Sequence, residues 1–198
     1  NDVISSLNAH QFGVAWFENQ AGKPGDGPSW IKHTIVGQEP WENEYGVRFS
    51  QPHALALVDV DGDGLKDIVT GKTYWSHHTK SPLWDAGAVV YWFRLVRNRD
   101  GVDWVPYQAD GESGIGRQVV VHDVNGDGLL DIATGGMKGA NVLLHRREVV
   151  SEQRWREAQP KVQNDVVKPY VAATPQSSSA NSTTRVAGAI EAETMTVL

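Results

Sequence analysis

The chain has 198 residues, 40% of them hydrophobic, with 24 acidic side chains against 18 basic and a formal net charge of -6. That is enough for one domain or a little more with a real core, and the acidic balance argues against nucleic acid or an anionic membrane as partner. No apolar run reaches the roughly 18 residues of a spanning helix, and with no cysteine there is no disulfide framework, which leaves the redox compartment open.

Taken in order, 2–7 reads as a strand opening on Asp2-Val3-Ile4-Ser5, and 13–18 as a second carrying Trp16-Phe17. The turn-rich Gly22-Lys23-Pro24-Gly25-Asp26-Gly27-Pro28 then leads into Trp30-Ile31-Lys32-His33-Thr34-Ile35, a third. Residues 53–60 form an apolar strand with Ala54, Ala56 and Val58 against Leu55 and Leu57. Apolar character on both faces predicts packing on both sides. The strand enters Asp59-Val60-Asp61-Gly62-Asp63-Gly64-Leu65-Lys66-Asp67, and 67–72 follows. Next, 88–93 repeats the Trp-Phe strand, and Trp104-Val105-Pro106-Tyr107 stands where Trp30-Ile31-Lys32-His33 stood. The order then restarts with 118–122, the loop Asp123-Val124-Asn125-Gly126-Asp127-Gly128-Leu129-Leu130-Asp131, 131–136 and 141–145, with no fourth strand. The two loops lie 64 residues apart, and Asp2 aligns with Asp67 in a third, truncated copy. One unit is therefore four short strands, A to D, with the acidic loop between A and B.

Each loop has the chemistry of a calcium site. Side-chain oxygens fall at positions 1, 3, 5 and 9, glycines at 4 and 6 let the chain curl, and position 7 offers a backbone carbonyl. Ca²⁺ takes 6–8 oxygen ligands. The expected ligands are Asp59, Asp61, Asp63, Leu65 and Asp67 in one loop, and Asp123, Asn125, Asp127, Leu129 and Asp131 in the other. An EF-hand needs a glutamate at position 12 and flanking helices, and a dockerin-like loop needs an acid nearby. Here position 12 is Thr70 or Thr134, followed or preceded by strand-like residues. A plain Asp-Gly hairpin would need two turn residues, not four Asp/Asn side chains in a fixed frame. Two bound Ca²⁺ would be structural and would leave the protein nearly neutral.

The loops, the Trp-Phe strand and the Trp-x-x-His strand together resemble the FG-GAP/VCBS repeat family, over about residues 1–147. The resemblance implies an all-β fold, a calcium-bearing β-propeller as in integrin α heads and many secreted bacterial proteins. About two and a half four-stranded blades of a probable seven are expected, an open arc with two raw edges. The remaining blades of the full-length chain are then a partner. It also implies a secreted, periplasmic or cell-surface location within a multidomain protein. The expected divisions are a partial blade over 1–36, a complete blade over 37–109, a last blade over 110–150, a short helix and disordered linker over 151–188, and the possible start of a further domain over 189–198. Ser151 is the expected helix cap.

Activity is expected on the face opposite the calcium loops, where long connections are carried on a rigid scaffold. The insertion 73–87 brings Tyr74, Trp75, His77, His78 and Trp84, and the segment 37–52 brings Trp41, Tyr45 and Arg48. Trp41, Tyr45, Arg48, Trp75 and Trp84 suit a carbohydrate by stacking and hydrogen bonding, and a protein ligand could use the same face. The competing expectation is that these aromatics fold back over their own blade. His53 aligns with Arg117 and could form a polar pair lining the channel. A binding or scaffolding module is favoured over an enzyme. The alternative is a carbohydrate-active lyase or dehydratase with His53, Tyr74, His77, His78 and Arg117 as acid, base and oxyanion groups. His122 is expected between blades, and His33 in a structural role.

Overall fold

The computed structural model describes residues 1–20, 22, 25, 27–75, 78–99, 101–163 and 194–197, the last four and His78 by their backbone alone. Its strands are β1 (Val3–Ser6), β2 (Val14–Gln20), β3 (Ser29–Val36), β4 (Leu55–Val58), β5 (Asp67–Lys72), β6 (Val89–Asn98), β7 (Gly101–Asp110), β8 (Val119–His122), β9 (Asp131–Gly136), β10 (Gly139–Leu143), β11 (His145–Glu148) and β12 (Thr194–Val197). Every pairing is antiparallel between neighbours. The first sheet is β1-β2-β3, the second β4-β5-β6-β7, and the third β8-β9-β10, continued by β11 with β12 at its side. The fold is all-β and propeller-like: three meander sheets stacked face to face.

The stacking explains the apolar pattern. Val14, Ile35, Val36 and Phe49 pack on Ile68 and Phe93 between the first and second sheets. Val69, Val90 and Trp92 pack with Ile115, Ile132 and Leu143 between the second and third. Adjacent residues of β5 and β6 thus serve opposite cores, and all six residues of β5 are buried. Full burial on both sides falls on β5, while the preceding strand packs on both sides less completely, Ala54, Ala56 and Val58 against one core and Leu55 against the other, as its sequence suggests. β4 lies at the inner edge, paired on one side only, and Leu57 is 44% exposed. The innermost strands β4 and β8 are neighbours.

The repeat shows in side-chain contacts as well. Trp16 stacks on His33 across β2 and β3 at 4.3 Å, and Trp92 on Tyr107 across β6 and β7 at 4.7 Å. His33 also meets Glu18 at 3.0 Å. Backbone N–H groups of Asn19, Leu95 and His145 donate to Oδ1 of Asp2, Asp67 and Asp131, at 3.0, 2.9 and 2.8 Å. The final aspartate of each loop copy therefore ties it to a later strand beside its own, β2, β6 or β11, the last of these continuing β10.

On the outer face of the third sheet Val120 and Val142 remain about half exposed, and His122 is exposed beside them instead of lying between sheets. Strand alternation is the reason: Val119 and Val121 take the inward positions. The fourth-strand position of this sheet is met by β12, with His145 opposite Val197 as Leu95 is opposite Trp104. Helix α1 (Glu152–Ala158) starts where its sequence indicates, with Ser151 Oγ accepting from Arg154 N. Its end reaches back to the second sheet, where Tyr107 donates its hydroxyl to Gln159 Oε1 at 2.6 Å. The expected linker lies outside the described residues from 164 onward.

Candidate metal centre and the opposite cleft

The loops 59–67 and 123–131 lie at one end of the second and third sheets, each joining the first and second strand of its sheet. Their shape follows from carboxylates that gather the loop's own amides. Asp59 accepts from Gly62 N at 2.8 Å and Gly64 N at 2.9 Å. Asp123 accepts from Gly126 N and Gly128 N at 2.7 and 2.8 Å. Asp63 and Asp127 accept from Leu65 N and Leu129 N, at 2.9 and 2.8 Å. The curl needs left-handed backbone at Gly62, Gly64, Gly126 and Gly128, with φ from 78° to 90°, a region open to glycine without strain.

In the first loop, carboxylate oxygens of Asp59, Asp61 and Asp67 lie within 4.8 Å of one another. Ligands on one Ca²⁺ sit about 2.3–2.6 Å from it, so oxygens on opposite sides are no more than about 5 Å apart. The trio fits that span. Asp59, Asp61, Asp63 and Asp67 with the Leu65 carbonyl would hold the ion in this loop. Asp123, Asn125, Asp127 and Asp131 with the Leu129 carbonyl would hold it in the other.

Asp67 is fully buried and uses both oxygens, Oδ2 toward Val60 N at 3.0 Å and Oδ1 toward Leu95 N. Burial pushes its carboxyl up to about 6, against the pull of the Leu95, Trp92 and Val60 donors, and Asp61 adds to the rise. An ionised group held at such a cost is one a nearby divalent cation relieves. Asp131 repeats the geometry with Val124 N and His145 N.

Three groups near these loops went unnoticed in the sequence. Arg94, on β6, faces Asp61 and Asp63. Arg147 Nη2, from β11, donates to the Asp61 carbonyl at 2.5 Å. His145 is buried beside the second loop, where desolvation and Arg147 hold its ring less basic than usual. The only cue in the sequence is the repeat alignment, which sets Arg94 against Leu144 and His145 against Leu95.

At the other end of the sheets lies a cleft of ≈ 370 Å³ lined by His53, Thr73, Trp75, Gly116, Arg117, Gly135, Gly136 and Met137. It brings together His53, Trp75 and Arg117 among the residues singled out by sequence. The His53 ring is 5.2 Å from that of His10. Trp84 leans on Trp75 at 5.6 Å, and Tyr74 lies under Lys138 Nζ at 4.3 Å. The segment 37–52 is placed elsewhere: Tyr45 donates its hydroxyl to Asp103 at 2.6 Å, Arg48 covers the Phe12 ring at 5.3 Å, and half-buried Trp41 belongs to a one-turn helix, Pro40–Glu42. None of these three lines the cleft. Burial and the Asp103 contact push the Tyr45 phenol well above its ordinary value, as expected of a structural hydrogen bond. His77 lies outside the described residues, as does the side chain of His78.

The insertion 73–87 is held by Lys72. Its side chain is almost wholly buried, and Nζ donates to the carbonyls of Thr73 (2.9 Å), Tyr74 (3.4 Å) and Gly87 (2.8 Å). Both ends of the insertion thereby meet on one ammonium group. Desolvation pulls its pKa down, and Asp85 opposes that pull.

Among the described residues no helix is long and apolar enough to cross a membrane. No curated protein and no solved structure matches the chain. Residues 59–134, the part of the chain that holds both acidic loops, match the family model of the FG-GAP-like repeat.

Proposed function

We propose that the chain is a calcium-stabilised propeller module that serves binding or scaffolding in a secreted, multidomain protein. Its ligand, a carbohydrate or a protein segment, docks on the face opposite the loops. The observation that carries this reading is the convergence of Asp59, Asp61 and Asp67 within an FG-GAP-like repeat. Bound there, Ca²⁺ supplies charge neutralisation and oxygen coordination, and its binding energy becomes folding energy. The chain's own part is to pre-shape the loop through the Asp59–amide contacts and to anchor it through Asp67.

The cleft supports the ligand half of the proposal. Trp75 is 42% exposed and offers an aromatic face; Arg117 and His53 stand beside it. That combination suits a polyol or an acidic sugar. An enzymatic alternative draws on one feature, the nearness of His10, His53 and Arg117 in or beside one cleft. Calorimetric titration with neutral and uronate-bearing oligosaccharides, followed by NMR of the recovered sugar, separates the two. The binding module returns the sugar unchanged, and Trp75→Ala weakens binding about tenfold, the loss of one stacked ring. Conversion of the sugar would instead establish the lyase or dehydratase alternative. Equal affinity in wild type and Trp75→Ala would remove the cleft from the proposal.

A further inference from the structure

By the number of carboxylate ligands the two loops rank clearly, although Lys66 leaves their net charges equal. Residues 59–67 carry four carboxylates, whereas 123–131 carry three and Asn125. Calcium affinity in such loops is tuned by ligand charge count, so the first should be the tighter site. The geometry opposes that ranking. Arg94 Nε lies 2.6 Å from Asp61 Oδ2, and its Nη2 lies 3.1 Å from Asp63 Oδ2. These are the expected third and fifth ligand positions. The equivalent position in the third sheet carries no charge: Leu95 N and His145 N make the same contact to Asp67 and Asp131, so the residue before each is equivalent, and there it is Leu144.

From this asymmetry we infer that Arg94 is an internal counter-cation that makes 59–67 the weaker calcium site and leaves 123–131 the tighter one. The inference rests on the calcium reading above and concerns how its two sites divide. The guanidinium cancels the extra carboxylate of the first loop. It also holds two oxygens that the ion needs. Calcium must either displace those contacts or bind beside a fixed positive charge, and both lower its affinity. Arg94 is only about one-third exposed, and Asp61 and Asp63 less so, so water screens this competition incompletely. The two sites therefore fill in sequence as calcium rises, the third-sheet loop first.

The test is a Ca²⁺ titration of the full chain against a chromophoric chelator, after stripping with EGTA. Wild type is expected to show two steps, separated on the order of tenfold, the scale of a partly screened ion pair. Arg94→Leu should bring the weaker step up to the tighter one. Leu144→Arg should weaken the tighter step and leave the weaker in place. If Arg94→Leu does not fold, Arg94→Gln and Leu144→Arg carry the same comparison. Two steps that neither variant moves would overturn the role of Arg94 while leaving the calcium sites standing. A wild-type chain that takes up no calcium would remove the calcium reading itself, and with it this inference.

Discussion

Replacing Lys72 by methionine is expected to lower the melting temperature by roughly 6–12 °C. Methionine keeps most of the buried stem, so the change isolates the ammonium group. Three carbonyls, those of Thr73, Tyr74 and Gly87, then lose their shared donor. Each such contact is charge-assisted, and leaving buried acceptors unmet costs more than the bond's net worth. Lys72 itself is no longer burdened by desolvation, which offsets part of that loss. A net cost of about 3 kcal/mol remains, and in a chain of this size each kcal/mol moves the midpoint by about 2–4 °C. The loss should be seen as early hydrogen exchange in 73–87 as well as in calorimetry. A midpoint within about 2 °C of wild type would mean that the insertion is held by its aromatic packing alone.

The second large effect belongs to the last aspartate of each loop. Asp67→Asn and Asp131→Asn are each expected to cost about 3 kcal/mol even in chelator, before any loss of metal. Both carboxylates accept two backbone N–H groups, one from their own loop and one from a strand: Val60 and Leu95 in one case, Val124 and His145 in the other. An amide can satisfy only one of these, and its NH₂ confronts the other donor. Asp2 supplies the control. It accepts from Asn19 N in the same way and from Trp16 Nε1 as well, but in solvent. Asp2→Asn should move the midpoint little, because water replaces what the amide withholds. Calorimetry of the three variants in EGTA checks the ordering. Equal small shifts at all three positions would show that the loops hang on their sheets by something other than these carboxylates.

Most of the architecture is legible in the sequence because it repeats. The loop frame, the Trp-Phe strand and the aromatic of the fourth strand each recur, and recurrence distinguishes a structural position from an accident. Trp16 on His33 and Trp92 on Tyr107 are that recurrence made physical. Strand lengths are less legible. The Trp-Phe strand runs on to Asn98 and the next begins at Gly101, beyond the apolar run that marks the inner half of the hairpin. The side chains of the outer half, Arg94, Arg97 and Asp103 among them, show no alternation of apolar and polar residues. β12 pairs with β11, and that pairing is not legible in the sequence, because contact between segments so far apart leaves no local mark.

The site divides in the same way. The proposed loop ligands follow from spacing, which a bound ion would impose. Of the cleft, only the alignment of His53 with Arg117 is legible in the repeat; that Trp75 joins them is not, because the three residues come from three connections. Tyr45 and Arg48 have the right chemistry for a ligand, yet Asp103 and Phe12 engage them. Arg94 is the instructive case. In sequence it is one arginine in a strand, and only the twist of β6 past the loop sets it on Asp61 and Asp63.

The most direct measurement is thermal unfolding of the full chain in EGTA and across a calcium series, with magnesium as control. Extracellular-type sites bind on the order of 10⁻⁴–10⁻³ M. At about 10 mM calcium a site at the tight end of that range adds about 2.7 kcal/mol by mass action. The midpoint should therefore rise by several degrees, keep rising with the logarithm of calcium, and respond weakly to magnesium. An identical midpoint in EGTA and in about 10 mM calcium would contradict the claim that these acidic loops stabilise the sheets by holding metal.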